Sequence, residues 1–374
     1  MDFLCLSALS AGNKYKHMNK IKSETYDIFF AEKHFSQIEN FLQNTDYQSA
    51  KKIILVDENT KCFCLPELLK NVKTLNVGDI IEIKSGEKHK TIDDCRLVWD
   101  KLIQLKAGRD SIVINLGGGM LSDLGGFVSS TFKRGIPYIN IPTTLLAMVD
   151  ASVGGKTAVN FSELKNQIGV FSNPRAVFII PEFLKNLPEN QLLSGYAEVI
   201  KHALIADKKY WVTIKNTNIL SGTKFMDLII PSIEIKNKIV GLDPFEKGDR
   251  KKLNFGHTFG HAFETISHKQ DKALLHGEAI AMGMICEVFI SHKIAGLSQG
   301  ELQEIISHIL KHFKLYIIQK QQFNTLIEIM SHDKKNSRDE INFTLLNSIG
   351  QSEFNRTCKT SLILETLDFY NNLS

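Results

Sequence analysis

The sequence predicts two domains: an α/β N-terminal domain on a largely parallel sheet, then a mostly α-helical C-terminal domain. Three observations predict this. The first half alternates short apolar runs with helical stretches. After Pro181 the pattern changes to long segments of 3.6-residue period. The chain, at 374 residues, is also too long for one small core. The expected domains are 18–180 and 181–374.

In the first half Tyr26 to Phe30, Ile53 to Val56, Ile80 to Ile83, Ile112 to Leu116, Tyr138 to Ile141 and Ala176 to Ile180 read as buried strands. They are short, continuous and rich in β-branched residues. Turn residues close several of them: Asp57 to Asn59, Ser85-Gly86, Gly117 to Gly119 and Pro142. In the second half, helical periodicity covers about 188–206, 225–240, 250–268, 277–295 and 301–315, and Ile341 to Leu346 is a lone strand-like run. The start superficially resembles a signal peptide, but its apolar stretch is short and it lacks a basic n-region; since Met18 precedes the first strand, residues 1–17 read as a disordered extension or a misplaced start.

Composition is that of a soluble globular protein, with 43% hydrophobic and 23% charged residues. A net charge of +4 is too mild to argue for nucleic acid, yet allows a local basic pocket for an anionic small molecule. No apolar run approaches the ~20 residues of a membrane helix. Cys5, Cys62, Cys64, Cys95, Cys286 and Cys358 lack framework spacing and read as free thiols of a reducing cytoplasm.

The strand Ile112 to Leu116 runs into Gly117-Gly118-Gly119, where backbone amides can approach a pyrophosphate. Asp123 follows in the next helix. Ser122 stands where a full dinucleotide fingerprint has its third glycine, so the motif is Rossmann-like but incomplete. Asp57, Asn59 and Glu87 are candidate ribose contacts. Gly154-Gly155-Lys156-Thr157 is not a P-loop, because Asp150 occupies the position of the first glycine. Asp150 to Asn160 and Lys165 to Gly169 place Lys156 and Lys165 on short glycine-bearing loops, suited to phosphate or carboxylate.

His257 and His261 are four apart and share one helix face. The local reading makes both of them ligands of a catalytic divalent metal. His276, at the start of another helix, is a third candidate, and Glu198 is preferred to Glu264 because it comes from a separate segment. His202, His268 and His292 read as structural or surface residues.

Together these motifs resemble the 3-dehydroquinate synthase family of the sugar-phosphate cyclase superfamily, from about Tyr26 to the C-terminus. The most specific blocks are Pro142 to Thr157, Ser194-Gly-Tyr-Ala-Glu198-Val-Ile-Lys201, and Leu253-Asn-Phe-Gly-His257-Thr-Phe-Gly-His261-Ala262; Asp333-Lys-Lys335 also fits. The resemblance implies a lyase that converts 3-deoxy-D-arabino-heptulosonate 7-phosphate to 3-dehydroquinate and phosphate in the shikimate pathway. It implies NAD and Zn2+ (or Co2+) as cofactors. It implies Glu198, His257 and His276 as metal ligands, with His261 serving proton transfer instead. Asp150, Lys156, Lys165, Asn166, Lys201, Lys236, Arg250, Asn254 and Lys335 are implied substrate contacts, with His261, Lys201 and Asp150 catalytic. Asp57, Asn59, Glu87, Lys90, Gly118, Gly119, Asp123, Thr143 and Thr144 are implied NAD contacts, along with Lys156 and Lys165. Arg134 matches an arginine that reaches a neighbouring subunit's phosphate site, which implies a homodimer.

Met148, Ile180-Pro181 and Asn190-Gln191 depart from the family pattern, the second near the expected cofactor. Two other activities fit some of these motifs: a metal-dependent polyol dehydrogenase, and a sister cyclase acting on sedoheptulose 7-phosphate.

Overall fold

A computed structural model describes residues 18–31, 35–43, 46–162, 164–220, 224–268, 273–331 and 340–373. The extension expected over 1–17, and Lys335, lie outside the described residues. The chain divides into two compact units: residues up to Pro188 with Phe225–Asn237, and Glu189–Lys224 with Lys238–Ser374.

The first unit is built on strands β1 (Lys20–Lys22), β2 (Asp27–Phe30), β3 (Lys52–Asp57), β4 (Ile80–Ile83), β5 (Ile112–Gly117), β6 (Tyr138–Pro142) and, after a hairpin, β9 (Ala176–Ile179). They form one sheet in the order β1-β2-β9-β6-β5-β3-β4. All neighbours are parallel except the β1–β2 pair. The apolar runs of the sequence are continuous because both faces are covered: all residues of β5 and β6 are buried. Helices α1 (Ser36–Gln43), α2 (Glu58–Phe63), α3 (Leu65–Asn71), α4 (Ile92–Gln104) and α5 (Gly119–Thr131) alternate with the strands. The core under α4 and α5 gathers Leu55, Val98, Val113, Leu121, Leu124 and Val128. From β3 the chain steps outward to β4, then returns to place β5 on the other side of β3. That reversal is the topological switch point where open α/β sheets bind ligands.

The hairpin is a correction. Lys156 and Lys165 were expected on loops, but they lie in the antiparallel strands β7 (Lys156–Phe161) and β8 (Leu164–Phe171). Thr157 and Val159 alternate inward, while lysine, asparagine and glycine on the outer face hide the period of two.

The second unit packs α6 (Glu189–Ala206), α7 (Lys208–Lys215), the end of α8 (Phe225–Leu242), α9 (His257–Ser267), α10 (His276–Ile294), α11 (Gln299–His312), α12 (Phe323–Ser331) and α13 (Thr360–Asn371). The strand expected at 341–346 is β10 (Glu340–Ser348), and it is not alone: it pairs with β11 (Gln351–Lys359). The segment expected as one helix over 250–268 is broken. A 3-10 turn spans Asp249–Asn254, Gly256 takes φ 80°, and the helix starts only at His257. A left-handed residue interrupts a helix, and glycine adopts it without strain.

Helices α6, α9 and α10 approach closely through small residues. Gly277 N–H donates to Ser194 Oγ at 2.9 Å. An added Cβ at Gly277 would lie 1.9 Å from the Ser194 carbonyl oxygen, and one at Gly283 2.0 Å from that of Gly256. Gly277→Ala should therefore destabilise the fold by about 1–3 kcal/mol or more. A thermal melt of the variant matching the parent would contradict this packing.

Candidate active site

The carboxyl ends of β3, β5 and β6 bring several candidate residues to one edge of the first unit. Asp57 ends β3. Gly118 caps α5 just beyond β5, and no side chain caps that helix. The first amides of α5 thus form an anion site of the kind that binds phosphate. Thr143 follows β6 and donates its N–H to the Gly117 carbonyl at 3.0 Å. An added Cβ at Gly118 would press on Thr144 Cγ2 at 3.1 Å, and one at Gly119 on Ala151 Cβ at 3.1 Å, so only glycine leaves this turn open. Asp57 has a structural duty as well: its Oδ1 accepts the Thr60 N–H at 2.8 Å and caps α2. Asn59 is exposed beside it.

Lys90 is 3% exposed. Its ammonium spans Asp123 Oδ2 at 2.5 Å and Asn166 Oδ1 at 2.6 Å. Burial pushes the Asp123 carboxyl up, and Lys90 pulls it down. Glu87 Oε1 accepts from Asn160 Nδ2 at 3.0 Å. Lys236, on α8, pairs with Asp150 Oδ1 at 2.7 Å. Lys156 is exposed and Lys165 partly so. Arg134 is exposed at a left-handed backbone position, φ 71°. It lines an open pocket of about 440 Å³ with Ser130, Phe171, Ser172, Asn173 and Arg175.

In the second unit, Glu198 lies mid-helix in α6 and is 0% exposed. Lys201, one turn on and 1% exposed, forms an ion pair with it. His257 Nε2 and His276 Nε2 each stand 3.7 Å from Glu198 Oε1. One donor atom from each of these three residues lies within 4.8 Å of the others. Around a tetrahedral Zn2+, with bonds of ~2.0–2.1 Å, donor atoms stand roughly 3.3 Å apart. Small rotations of the side chains would close that difference. The imidazoles are already oriented. His257 Nδ1 faces the Phe255 carbonyl at 3.1 Å, and His276 Nδ1 faces Glu264 Oε2 at 3.5 Å. In both, the Nε2 lone pair is the one left for a cation. One carboxylate and two so oriented imidazoles form the donor set of an open metal site, and they fit a divalent ion.

The HxxxH pair separates in this geometry. His261 is exposed, its ring centroid 5.2 Å from that of His257, and the cation-holding group takes His257 without it. Arg250 is 3% exposed and donates from Nη1 to the Pro244 carbonyl. Asn254 Nδ2 donates to Glu246 Oε1 at 2.7 Å. Sequence reading set Glu264 aside as a rival ligand and did not find its contact with His276; its spacing from His261 carried no signal of that role.

Residues 80–194 match the family described as 3-dehydroquinate synthase N-terminal, and 195–336 that described as 3-dehydroquinate synthase C-terminal. A 3-dehydroquinate synthase of Parabacteroides distasonis is 42% identical over 337 residues, covering 90% of this chain and 95% of the relative. One of Campylobacter hominis is 39% identical over 301 residues, covering 80% and 86%. Among solved structures, a 2-deoxy-scyllo-inosose synthase complexed with carbaglucose-6-phosphate, NAD+ and Co2+ superposes with a TM-score of 0.82 at 24% identity, covering 93% and 99% of the two chains. A 2-epi-5-epi-valiolone synthase of Streptomyces hygroscopicus with NAD+ and Zn2+ gives 0.78 at 23% identity, covering 96% and 100%. At those identities the solved structures share the fold.

Burial and the Lys201 ammonium hold His257 well below the usual imidazole value. Burial also opposes charge on His276, but the Glu198 and Glu264 carboxylates outweigh it and raise His276 to about 9. In the metal-free protein His276 is then protonated at neutral pH, and a cation must displace that proton. Zn2+ affinity should rise about tenfold per pH unit through neutrality and level off near the His276 value. Titration calorimetry in two buffers of different ionisation enthalpy checks this. Uptake with no proton released at pH 7.5 would refute it.

Proposed function

The chain belongs to the 3-dehydroquinate synthase family, and on that premise we propose how its residues carry the family's reaction. That reaction is the conversion of 3-deoxy-D-arabino-heptulosonate 7-phosphate to 3-dehydroquinate and phosphate, a step of the shikimate pathway. It proceeds by transient oxidation, β-elimination of phosphate, re-reduction and intramolecular aldol closure. The observation that carries the reading is the convergence of Glu198, His257 and His276 on one point beside buried Lys201.

Glu198, His257 and His276 are assigned to Zn2+ (or Co2+), and the open turn at Gly118 and Gly119 to the NAD pyrophosphate. The edge residues Asp57, Asn59, Glu87, Lys90, Asp123, Thr143 and Thr144 complete the NAD assignment, with Lys156 and Lys165. When bound, the metal ion polarises a substrate hydroxyl and NAD takes up and returns the hydride. The protein's own part is binding, orientation and proton handling. Lys156, Asn166 and Asn254 are assigned to the phosphate, a dianion that suits charge-assisted donors. Lys236 and Arg250 are assigned to the carboxylate. Asp150, which holds Lys236 in place, positions that ammonium and contacts substrate. Lys201 stabilises negative charge developing on the substrate oxygen, and His261, exposed one turn from His257, exchanges protons with the substrate. Holding the chain in a near-attack geometry can supply ~7–11 kcal/mol of the barrier.

The test is phosphate release from the heptulosonate phosphate with catalytic NAD+, with and without a chelator. Release that continues after both NAD+ and metal are removed would overturn the reading. Net NADH accumulation with a simple polyol would point to a dehydrogenase instead, and faster turnover of sedoheptulose 7-phosphate to the sister cyclase.

The reading extends to a homodimer in the cytoplasm. No described helix is long and apolar enough to cross a membrane. Support for the dimer comes from the β7–β8 hairpin, which exposes Phe161, Leu164, Val170 and Phe171, and from Arg134 beside Phe171 on the same pocket. If Arg134 serves a neighbouring copy, then mixing inactive Arg134→Ala chains with inactive His257→Ala chains should restore activity, because one site of each mixed dimer is intact. Mixed dimers that stay inactive would rule this out.

A further inference from the structure

One buried acid has no part in the chemistry above. Glu287 sits in α10, the helix that begins with His276, and is 0% exposed among apolar neighbours. Its carboxylate reaches across to the start of α9. Oε2 accepts the Gly256 N–H at 2.7 Å, and Oε1 accepts the Thr258 N–H at 3.1 Å. His257 lies between those two amides.

Helix α9 has no side-chain cap of its own. The reason is local. Gly256, its N-cap, has φ 80°, and a Cβ there would meet Met284 Cγ at 2.6 Å. The usual capping residues Ser, Thr, Asp and Asn are therefore excluded from that position. Thr258 Oγ1 is turned to the Asn342 carbonyl, 3.4 Å away. The first amides of the helix still need acceptors, and its positive end favours an anion. A buried carboxylate is in turn costly unless fully hydrogen-bonded. Each group answers the need of the other.

We propose that Glu287 is a positioning residue for the metal centre: reaching from the helix that carries His276, it caps the helix that begins with His257 and fixes that imidazole against Glu198. The inference rests on the ligand assignment made above. The contact ties the two ligand-bearing helices together through one side chain, as outer hydrogen bonds do at other metal sites.

The experiment measures Zn2+ affinity by chelator competition, and the visible spectrum of the Co2+-loaded protein, for Glu287→Gln and His257→Ala. Glu287→Gln keeps the volume and one acceptor oxygen but turns an N–H2 toward amide donors. It should weaken Zn2+ binding 10–100-fold and shift the Co2+ bands. Parental affinity with a parental spectrum overturns the proposal. So does a lowered melting temperature with both metal readouts unmoved, since that is a structural role only. Should Glu287→Gln fail to fold, Glu287→Asp keeps the carboxyl group while retracting it by one methylene, and the same two readouts decide in the same way. His257→Ala separates the premises: if it keeps full affinity, the ligand assignment has failed rather than the role of Glu287.

Discussion

The second unit depends on one wholly buried carboxylate. Glu198 lies in the middle of α6, where an uncompensated anion would be protonated or would cost several kcal/mol. The structure surrounds it with positive or polarisable groups: Lys201 on its own helix, His257 from α9 and His276 from α10. The close approach of α6 and α10 serves that encirclement. Ser194, one turn before Glu198, holds the Gly277 amide, so the segment that bears the acid also fixes the helix that brings His276. The glycines at 277 and 283 are required because backbones must come within contact distance for three short side chains to meet. Packing and chemistry are here one constraint.

The first unit solves a different problem with the same economy. Its sheet exposes carboxyl strand ends at a switch point, and the glycine turn after β5 leaves the first amides of α5 without a side-chain cap. Lys90 shows how the surrounding charges are held. A lysine buried to that depth is tolerated because groups such as Asp123 and Asn166 take its ammonium, and these bonds tie the segment after β4 and strand β8 to α5.

Much of this was legible in the sequence, and the rest was hidden for identifiable reasons. The strands of the parallel sheet are short apolar runs between turn residues, and each appears where the pattern puts it. The β7–β8 hairpin was not read, because a two-sided strand pair with lysine and asparagine outward has little hydrophobic alternation to detect. The break before His257 was not read either. A single glycine in a periodic segment costs a helix only ~1 kcal/mol, so its φ cannot be inferred from spacing. Local spacing already made Glu198, His257 and His276 candidates, but it kept His261 among them; only the resemblance narrowed the set, since 59 positions separate Glu198 from His257 and no local rule links them. Glu287 gave a fainter signal, as a lone acid in the apolar run from Ile280 to Ile290. A charge inside a buried helical face has to have a partner, and that principle alone would have marked it.

The histidine pair shows why helix position matters more than helix face. By spacing, His257 and His261 are equivalent neighbours of any ligand above that face. They differ because His257 is the first residue of its helix, with its flanking amides held by the Glu287 carboxylate and its Nδ1 turned to Phe255. Its imidazole can be aimed inward by backbone contacts that a mid-helix residue lacks, since mid-helix amides already bond to carbonyls four residues back. His261 lies one turn inside the helix and is exposed. A metal ligand must hold one orientation through many turnovers, whereas a residue that exchanges protons must move between partners and reach solvent. In the roles proposed for them, His257, at a helix end tied down by a neighbour's side chain, meets the first demand, and exposed His261 one turn further along meets the second.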